Sequence, residues 1–311
     1  MTDPRGAPQP ESAVPSVPVT APITVGLVGA GPWAAKAYAP MLAAGPETRL
    51  ECVWARRPEA ARELAGRHAS EPAGSFDELI GRCDAVAFAV PPDVQAEMAV
   101  VAARAGRHLW LDKPLALTVD AAERVVDAAD RAGVVTQLML THRYRPKTVE
   151  FLEAARTLRP LGGRFAFLCG AFLDGPYATP WRKQHGALFD LGPHAFDLIE
   201  EVLGPIERIR ALGDPRRWVS LACEHAGGAI SDVSLSGVLR LPQTICRFEV
   251  FGVPGSLEFD GVAGAHAEPW SAARRSFAEA VRSGRSSALD ARRGLRLQRV
   301  IEMANQALDE A

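Results

Sequence analysis

The chain has 311 residues, of which 48% are hydrophobic and 23% are charged, and its formal net charge is −2. This length suits two domains that each bury a core of their own, and the composition is typical of a soluble globular protein. The near-neutral charge argues against nucleic acid as a partner, and no apolar run approaches the ~20 residues that span a bilayer.

The cysteines and the N-terminal segment indicate the environment of the protein. Five cysteines are scattered along the chain without a C-x-x-C pair, which argues against a disulfide framework or a zinc site and fits a reducing cytoplasm. The first 22 residues are rich in proline, alanine and serine and lack the apolar core of a secretory signal. We therefore predict a disordered tail over residues 1–22.

Strands and helices alternate over residues 23–142. The predicted strands, which are mostly apolar, are Ile23–Val28, Leu50–Ala55, Ala85–Val90, His108–Leu111 and Val134–Leu140. The predicted helices lie between them, over Ala34 to about Ala43, Glu59–Arg67, Val94–Ala105 and Thr118–Arg131. Such alternation predicts a doubly wound parallel sheet.

The pattern changes after His142. We predict a helix over Phe189–Leu203 and strands over Gly163–Leu168, Ile206–Leu212, Trp218–His225, Ala229–Leu241, Thr244–Phe251 and Ser256–Asp260. Successive strands with short turns predict a large, mostly antiparallel open sheet, so residues 143–311 form an α+β domain. Apolar residues at helical spacing from Leu297 to Leu308 predict a last helix, which either stays in this domain or packs back on the first.

A glycine-rich turn, Gly29-x-Gly31-x-x-Ala34, joins the first strand to the first helix. In a βαβ unit the first glycine permits a tight turn, the second lets the backbone approach a pyrophosphate, and the small third residue lets helix and strand pack. The helix N-terminus presents free N–H groups to the phosphates. We therefore predict that residues 23–142 are an NAD(P)-binding Rossmann domain; the alternative is a plain structural turn.

The end of the second strand indicates which dinucleotide binds. NAD enzymes place an acidic residue there to bind the ribose 2′-hydroxyl, whereas this chain has Ala55, Arg56 and Arg57. A carboxylate would repel a 2′-phosphate, and guanidinium groups bind one through charge-assisted hydrogen bonds. We predict NADP(H), bound by both arginines; the alternative is a solvated loop with two surface arginines.

Two later motifs, taken with the glycine-rich turn, point to a family. Asp112-Lys113-Pro114 follows the fourth strand, and Trp181-Arg182 precedes the run Gly186-Ala-Leu-Phe-Asp190-Leu-Gly-Pro-His194-Ala-Phe-Asp197. From Ile23 to the C-terminus, this order resembles the glucose–fructose oxidoreductase / inositol dehydrogenase (Gfo/Idh/MocA) family. The E-K-P lysine and the D-x-x-x-H pair of that family fall on Lys113, Asp190 and His194.

The resemblance implies a two-domain NAD(P)-dependent oxidoreductase with a substrate-binding second domain and a cis Lys113–Pro114 bond. The chain departs from the family pattern at Asp112, at Gln95 and at the run Gln184-His185-Gly186, and these departures bear on the substrate. The residues expected to bind the cofactor are Gly29, Gly31, Pro32, Trp33, Ala34, Arg56, Arg57, Val90, Pro91, Pro92, Lys113, Arg143 and Trp181.

The matched side chains suit hydride transfer between a carbinol carbon and nicotinamide, which needs a group that moves the hydroxyl proton. His194 suits general acid–base work because histidine titrates near neutral pH. Asp190, four residues earlier, would share a helix face with His194 and orient the pair of His194 and Lys113. Lys113 would bind the carbonyl oxygen or relay the proton. The alternatives are a surface lysine, a helix-capping aspartate and a core histidine. Weaker candidates for the pocket are Tyr144, Tyr177, Trp181 and His185.

The favoured function is therefore NADP(H)-dependent interconversion of a secondary alcohol and a ketone. The resemblance implies a sugar, nucleotide-sugar or cyclitol as the substrate. Two alternatives stay open: reduction of an imine or small ketone in specialised metabolism, and a non-catalytic NADP(H)-binding sensor or scaffold. We expect a small-molecule substrate, no metal, no nucleic acid, no membrane, and a cytoplasmic homo-oligomer formed through the C-terminal sheet.

Overall fold

The computed structural model describes residues 21–262 and 269–310, so nearly all of the predicted tail, residues 1–22, lies outside the described residues. Its first sheet is parallel and consists of β1 (Ile23–Val28), β2 (Thr48–Trp54), β3 (Glu71–Pro72), β4 (Ala85–Phe88), β5 (His108–Asp112) and β6 (Thr136–Met139). The strand order is β3-β2-β1-β4-β5-β6. The order reverses between β1 and β4, and in such sheets ligands bind at that point, beyond the carboxyl ends of the strands.

Helices cover this sheet, and every residue of β4 is accordingly buried. They are a π-helical turn (Ala34–Tyr38) that continues into α1 (Ala39–Ala43), then α2 (Pro58–Gly66), α3 (Phe76–Arg82), α4 (Pro92–Arg104) and α5 (Val119–Ala132). Helix α5 is capped at both ends: Thr118 Oγ1 accepts a hydrogen bond from the Ala121 N–H, and Gly133 ends the helix at a φ of 64°.

The second half begins with a 3₁₀ turn (Thr141–Tyr144) and holds the second sheet. Its strands are β7 (Pro160–Leu168), β8 (Ile206–Asp214), β9 (Trp218–His225), β10 (Ile230–Ser236), β11 (Ile245–Gly252) and β12 (Gly255–Asp260), in the order β12-β11-β7-β10-β9-β8. Its helices are α6 (Pro146–Thr157), α7 (Pro180–Asp190), α8 (Gly192–Leu203), α9 (Trp270–Ser283) and α10 (Ala291–Asp309). Only the β7–β10 pair is parallel within the described sheet, which confirms a mostly antiparallel sheet.

The structure corrects the predicted helix over Phe189–Leu203. Two helices, α7 and α8, meet at Leu191, and α7 itself contains a kink at Gly186, where φ is 71°. A Cβ atom at Gly186 would lie 2.1 Å from the carbonyl oxygen of Pro215, so the close approach of that loop requires glycine. The strand predicted over Ala229–Leu241 is also shorter and ends at Ser236. Helices α6 and α9 were not predicted.

The C-terminal helices join the two halves. Helix α10 packs on the first domain, where Arg299 pairs with Glu123 of α5 at 2.8 Å. Helix α9 does so too, since Phe277 lies 4.8 Å from the ring of Trp110 in β5. The predicted final helix therefore does pack back on the first domain. No helix among residues 21–262 and 269–310 is both long and apolar enough to cross a membrane.

A buried cluster of charges also fastens α10 to α8. Arg293 of α10 binds the carboxylates of Asp197 and Glu200, each at 2.7 Å. The carboxylate of Asp197 also forms an ion pair with Arg143, in the 3₁₀ turn, at 3.2 Å. Arg296 forms an ion pair with Glu200 at 2.6 Å. The side chain of Asp197 is 1% exposed, so these ion pairs replace hydration that the carboxylate has lost.

Replacing Asp197 with asparagine tests this cluster. The variant leaves Arg143 and Arg293 without their shared carboxylate in a buried site, so we expect the free energy of unfolding to fall by about 3–5 kcal/mol. Urea unfolding followed by circular dichroism measures the loss. The control is Glu123→Gln, which breaks the exposed pair with Arg299 and is expected to cost no more than about 1 kcal/mol. An equally small loss for Asp197→Asn would contradict the structural role of the cluster.

Candidate active site

The glycine-rich turn leaves β1 in a conformation that its glycines permit. Gly29 has a φ of 112°, and a Cβ atom there would lie 2.5 Å from the carbonyl oxygen of Ala89, so only glycine fits. At Gly31 an added Cβ would meet no atom within 4 Å. The backbone of the turn therefore faces open space, as a loop that receives a pyrophosphate must.

That open space belongs to a cavity of about 460 Å³ at the reversal of the strand order. Its lining comes from the segments that follow β1, β2 and β4, and consists of Gly29, Ala30, Gly31, Trp54, Ala55, Arg56, Arg57, Ala60, Ala89, Val90, Pro91 and Val94. The structure thus brings together six of the residues expected to bind the cofactor: Gly29, Gly31, Arg56, Arg57, Val90 and Pro91. The chemistry and the shape of this lining fit a dinucleotide. We call it the nucleotide cavity.

The charge in the nucleotide cavity is positive. Arg56 and Arg57 are exposed on its lining, and none of the lining residues, all in the described part of the chain, is acidic. Arg57 also borders a neighbouring cavity of about 310 Å³ that includes Glu59 and Glu63. Those two carboxylates already pair with arginines on and just after α2, so they do not cancel the charge of Arg56 and Arg57.

Lys113 projects from the turn that follows β5 and reaches the second domain. The Lys113–Pro114 peptide is cis, as the resemblance implies. Its Nζ atom donates to the carbonyl oxygen of Asp190 at 2.7 Å and to Oδ1 of the same residue at 2.8 Å. The lysine side chain is only 13% exposed, so this ammonium is held by the carboxylate rather than by bulk water.

Asp190, at the end of α7, lies between two cations. Its Oδ1 atom is 3.0 Å from Nε of Arg182 as well as 2.8 Å from Nζ of Lys113. Burial alone would raise the pKa of Asp190, but the charges and hydrogen bonds of Lys113 and Arg182 outweigh it and lower the pKa below its ordinary value. The carboxylate therefore stays ionised and orients Lys113, one member of the pair that it was expected to orient.

His194, in the first turn of α8, is buried beside a second imidazole. The rings of His194 and His142 meet edge to face at 5.2 Å, and neither Nδ1 atom has a hydrogen-bond partner among the described residues. Burial, followed by the charges of Lys113, His142 and Arg145, holds the pKa of His194 well below 6.5. The imidazole is therefore neutral near pH 7 and is able to accept a proton.

Lys113, Asp190 and His194 meet at a second cavity, of about 350 Å³, which we call the substrate cavity. It lies between the domains and is lined by Trp33, Asp112, Lys113, Met139, Thr141, Phe167, Cys169, Ala171, Tyr177, Arg182, Asp190, Leu191, His194 and Thr244. The three side chains predicted from the sequence to do the proton chemistry thus line one cavity.

Trp33 connects the glycine-rich turn with the substrate cavity. Its Nε1 atom donates to Oδ2 of Asp112 at 2.7 Å, and its ring meets that of Tyr177 edge to face at 6.1 Å. Oδ1 of Asp112 accepts the N–H of Lys113, also at 2.7 Å. Burial raises the pKa of Asp112 to about 6, against the opposing charge of Lys113. One carboxylate therefore ties the indole to the turn that carries the lysine.

Five residues expected to bind the cofactor line neither cavity: Pro32, Ala34, Pro92, Arg143 and Trp181. Arg143 is engaged by Asp197 and by Glu201, at 3.2 and 3.1 Å. Trp181 packs its ring 4.7 Å from the guanidinium of Arg182. Of the weaker candidates Tyr177 lines the substrate cavity, whereas Tyr144 and His185 do not. Pro32, Ala34 and Pro92 flank the nucleotide cavity without lining it. Their expected roles remain predictions.

Sequence reasoning assigned no role to Arg182, which places a second cation at Asp190. The signal was present in the Trp181-Arg182 pair, where the tryptophan alone was considered. His142 was assigned no role either, and its contact with His194 is not visible in the sequence because 52 positions separate them. Among the described residues no group of three or more His, Cys, Asp or Glu side chains is placed to hold a metal ion.

Two family models match the chain. One, described as an oxidoreductase family with an NAD-binding Rossmann fold, matches residues 23–140, and the Gfo/Idh/MocA C-terminal domain matches residues 159–258. The levoglucosan dehydrogenase of Pseudarthrobacter phenanthrenivorans is 28% identical over 226 residues, which are 67% of this chain and 57% of that enzyme. The match thus spans less than two thirds of the length of that relative.

Solved structures share the fold over the whole chain. GenD2 from gentamicin A biosynthesis, in complex with NAD, has a TM-score of 0.81 at 24% identity, over 100% of this chain and 98% of that chain. UDP-N-acetylglucosamine 3-dehydrogenase GnnA from Acidithiobacillus ferrooxidans has a TM-score of 0.82 at 20% identity, over 93% and 98%. At these identities the likeness establishes the two-domain fold.

The buried imidazoles make a testable contribution to acid sensitivity. Burial, with the charges of Arg145 and Lys113, lowers the pKa of His142 to about 3, whereas in the unfolded chain it is about 6.5. The unfolded state therefore takes up a proton first, so stability is full above pH 6.5 and falls as the pH drops toward 3. For His142 the loss between pH 6.5 and pH 5 is about 1.5–2 kcal/mol.

We expect His142→Gln to lose about 1.5–2 kcal/mol less than the unmodified protein when the pH falls from 6.5 to 5. Urea unfolding at the two pH values measures the difference. His68→Gln, on the turn after α2, is the control and is expected to follow the unmodified protein. If His142→Gln also followed it, His142 would not be held neutral by burial.

Proposed function

The chain belongs to the Gfo/Idh/MocA family of oxidoreductases, and we propose that it interconverts a secondary alcohol and a ketone with NADP(H). The observation that carries this proposal is the meeting of Lys113, Asp190 and His194 at one cavity beside the glycine-rich turn. A binding protein that senses NADP(H) has no use for a buried lysine–aspartate pair next to a neutral histidine. An acid–base reaction needs such groups.

The residues of the substrate cavity divide the proton chemistry between them. Bound NADP(H) supplies the hydride chemistry. The ammonium of Lys113, fixed by Asp190, donates a hydrogen bond to the oxygen of the reacting carbon. The neutral imidazole of His194 accepts the hydroxyl proton during oxidation. During reduction the same path runs in reverse, so the proton returns to the oxygen from His194 while Lys113 keeps its hydrogen bond to that oxygen.

For the substrate we propose a sugar, nucleotide-sugar or cyclitol. The similarity to enzymes named levoglucosan dehydrogenase and UDP-N-acetylglucosamine 3-dehydrogenase supports this class. The cavity supports it as well, because the rings of Trp33 and Tyr177 form an apolar wall, and Lys113 and Arg182 stand beside carboxylates. A sugar ring presents the same combination, with C–H faces and a rim of hydroxyl groups.

For the cofactor we propose NADP(H) rather than NAD(H). Arg56 and Arg57 on the lining of the nucleotide cavity, without an acidic neighbour there, support a ligand that carries an additional phosphate. The solved structure of GenD2 contains NAD, so we argue the cofactor preference of this chain from its own residues.

The remaining expectations belong to the same proposal. We place the cofactor domain at residues 23–142 and the substrate domain at residues 143–311, in a cytoplasmic protein. The outer face of the second sheet exposes apolar side chains, among them Trp218 (39%), Ile230 (47%) and Phe251 (41%), which supports association of copies through that sheet.

The double variant Arg56→Ala/Arg57→Ala tests the cofactor assignment. Loss of charge-assisted contacts to a 2′-phosphate costs about 1.5–3 kcal/mol, so the Kd for NADPH is expected to rise by roughly one to two decades. The Kd for NADH is expected to change little. Fluorescence titration measures both.

The double variant Arg49→Ala/Arg131→Ala serves as the control, because it removes the same charge outside the nucleotide cavity. It is expected to leave both affinities unchanged. Equal affinity of the unmodified protein for NADPH and NADH would contradict the NADP(H) assignment, and the solvated-loop alternative would then hold.

The variants Lys113→Met and His194→Ala test the proton chemistry. General acid–base groups contribute about 10²–10⁴-fold, so each variant is expected to lower kcat by at least about two decades. The losses are expected to be less than additive, because both groups serve one proton path. Single-turnover oxidation of NADPH by an accepted ketone, at saturating cofactor, measures the step directly.

The matched control for the lysine is Lys183→Met, which removes an exposed lysine of α7 and is expected to keep full activity. The affinity for NADPH is expected to be unchanged in His194→Ala, because that residue lies on the second domain. Hydride transfer at the full rate in both Lys113→Met and His194→Ala would move the proton chemistry to another group or to solvent.

A further inference from the structure

A buried amide outside both cavities holds the turn that carries Lys113. Gln95, in the first turn of α4, is 1% exposed. Its Nε2 atom donates to the carbonyl oxygen of Asp112 at 2.8 Å, and its Oε1 atom accepts the N–H of the same residue at 2.8 Å. Nε2 also lies 3.1 Å from the carbonyl oxygen of Leu115 and 3.3 Å from that of Pro114. One side chain thus binds the backbone on both sides of the lysine.

These contacts need an amide of this length. Three carbonyl oxygens converge on Nε2 and require a donor, while the N–H of Asp112 requires an acceptor at the other end of the same group. A thioether or an alkyl side chain would leave all of them unpaired in the interior. A carboxylate would keep the acceptor but would direct negative charge at the carbonyl oxygens.

The position of the turn decides where the ammonium lies. The stem of Lys113 is flexible, so its Nζ atom stays 2.8 Å from Oδ1 of Asp190 only if the Cα atom from which it starts is fixed. The N–H of Lys113 binds its own neighbour, Asp112, and Pro114 has no N–H to offer. Gln95 therefore supplies the contacts that tie this turn to the neighbouring helix.

We propose that Gln95 is a positioning residue, which acts on the reaction by holding Lys113 against Asp190 in the substrate cavity. The inference rests on the proposed function for the claim that Lys113 works on the substrate. The claim that the amide of Gln95 fixes Lys113 is independent of that function. Each of the two claims is tested by its own measurement.

Gln95→Met removes the polar atoms and keeps the length. Displacement of a reacting group by about 1 Å lowers rates by as much as 10²-fold, so we expect kcat to fall by roughly ten- to a hundredfold. The Kd for NADPH is expected to change less than about threefold, because Gln95 does not line the nucleotide cavity. Because a smaller active fraction would also lower the apparent kcat, kcat is expressed per NADPH-binding site counted in the same titration.

The second measurement does not require activity. Lysine acylation followed by mass spectrometry reports how accessible each Nζ atom is, with the exposed side chains of Lys36, Lys147 and Lys183 as internal references. In the unmodified protein Lys113 is expected to react slowest, since its ammonium is held by Asp190. In Gln95→Met we expect its rate to rise by at least about threefold relative to the references.

The matched control is Gln298→Met. Gln298 is also a buried glutamine, 2% exposed, and its Nε2 atom donates to a backbone carbonyl nearby, that of Leu117, at 3.2 Å. It does not touch the Lys113 turn in the described structure. We expect this variant to lose stability but to keep kcat and the labelling rate of Lys113.

If Gln95→Met does not fold, Gln95→Glu carries the test. Its carboxylate faces three carbonyl oxygens, which raises its pKa, so acidification from about pH 8 to about pH 6 restores a donor. We expect kcat of this variant, relative to the unmodified protein, to recover as the pH falls.

The outcomes separate the two claims. Unchanged labelling of Lys113 in the Gln95 variants would overturn the positioning role, whatever happens to kcat. Faster labelling with kcat within about twofold of the unmodified protein would overturn the link between position and reaction. An unmodified protein that turns over no ketone with NADPH would defeat the proposed function, while the labelling comparison would still decide whether Gln95 fixes Lys113.

Discussion

The contact between Lys113 and Asp190 is the interaction on which the arrangement of the protein depends. The two side chains come from different domains and are only 13% and 9% exposed, so neither charge is well hydrated. Separation would leave the poorly hydrated ammonium of Lys113 without its carboxylate, while Asp190 would keep Arg182 as a partner. Together with helices α9 and α10, the pair therefore holds the domains together, and it does so at the point where the acid–base groups meet.

Helix α8 shows how a group is kept free for a substrate while its backbone is fixed. Asp197 and Glu200 follow His194 by about one and two turns, and both are fully engaged by Arg293 of the C-terminal helix. His194 itself has no partner at Nδ1 among the described residues. The helix takes its position from the charge cluster, so the imidazole is placed without a hydrogen bond that would compete with substrate.

The alternation of strands and helices, the glycine-rich turn and the Lys113, Asp190 and His194 motifs were sufficient to predict the two-domain fold. The partners of the site were not predictable in the same way. The spacing of Asp190 and His194 suggested one helix face, but the kink at Gly186 and the break at Leu191 turn the carboxylate toward Lys113. The hydrogen bonds of Gln95 to the turn after β5 depend on how α4 packs against that turn, and the spacing of apolar residues in the sequence does not show this packing.

The substrate cavity combines these contacts into a definite chemical character. Its charged lining consists of two cations, Lys113 and Arg182, and two carboxylates, Asp112 and Asp190, so the formal charges cancel. An additional charge on the reacting part of a substrate would find no unmatched counter-ion in that lining. Trp33, bonded to Asp112, forms a wall of the same cavity and belongs to the turn that faces the dinucleotide. The substrate class proposed above suits this lining, because a neutral ring with hydroxyl groups brings hydrogen-bond donors and acceptors and no charge.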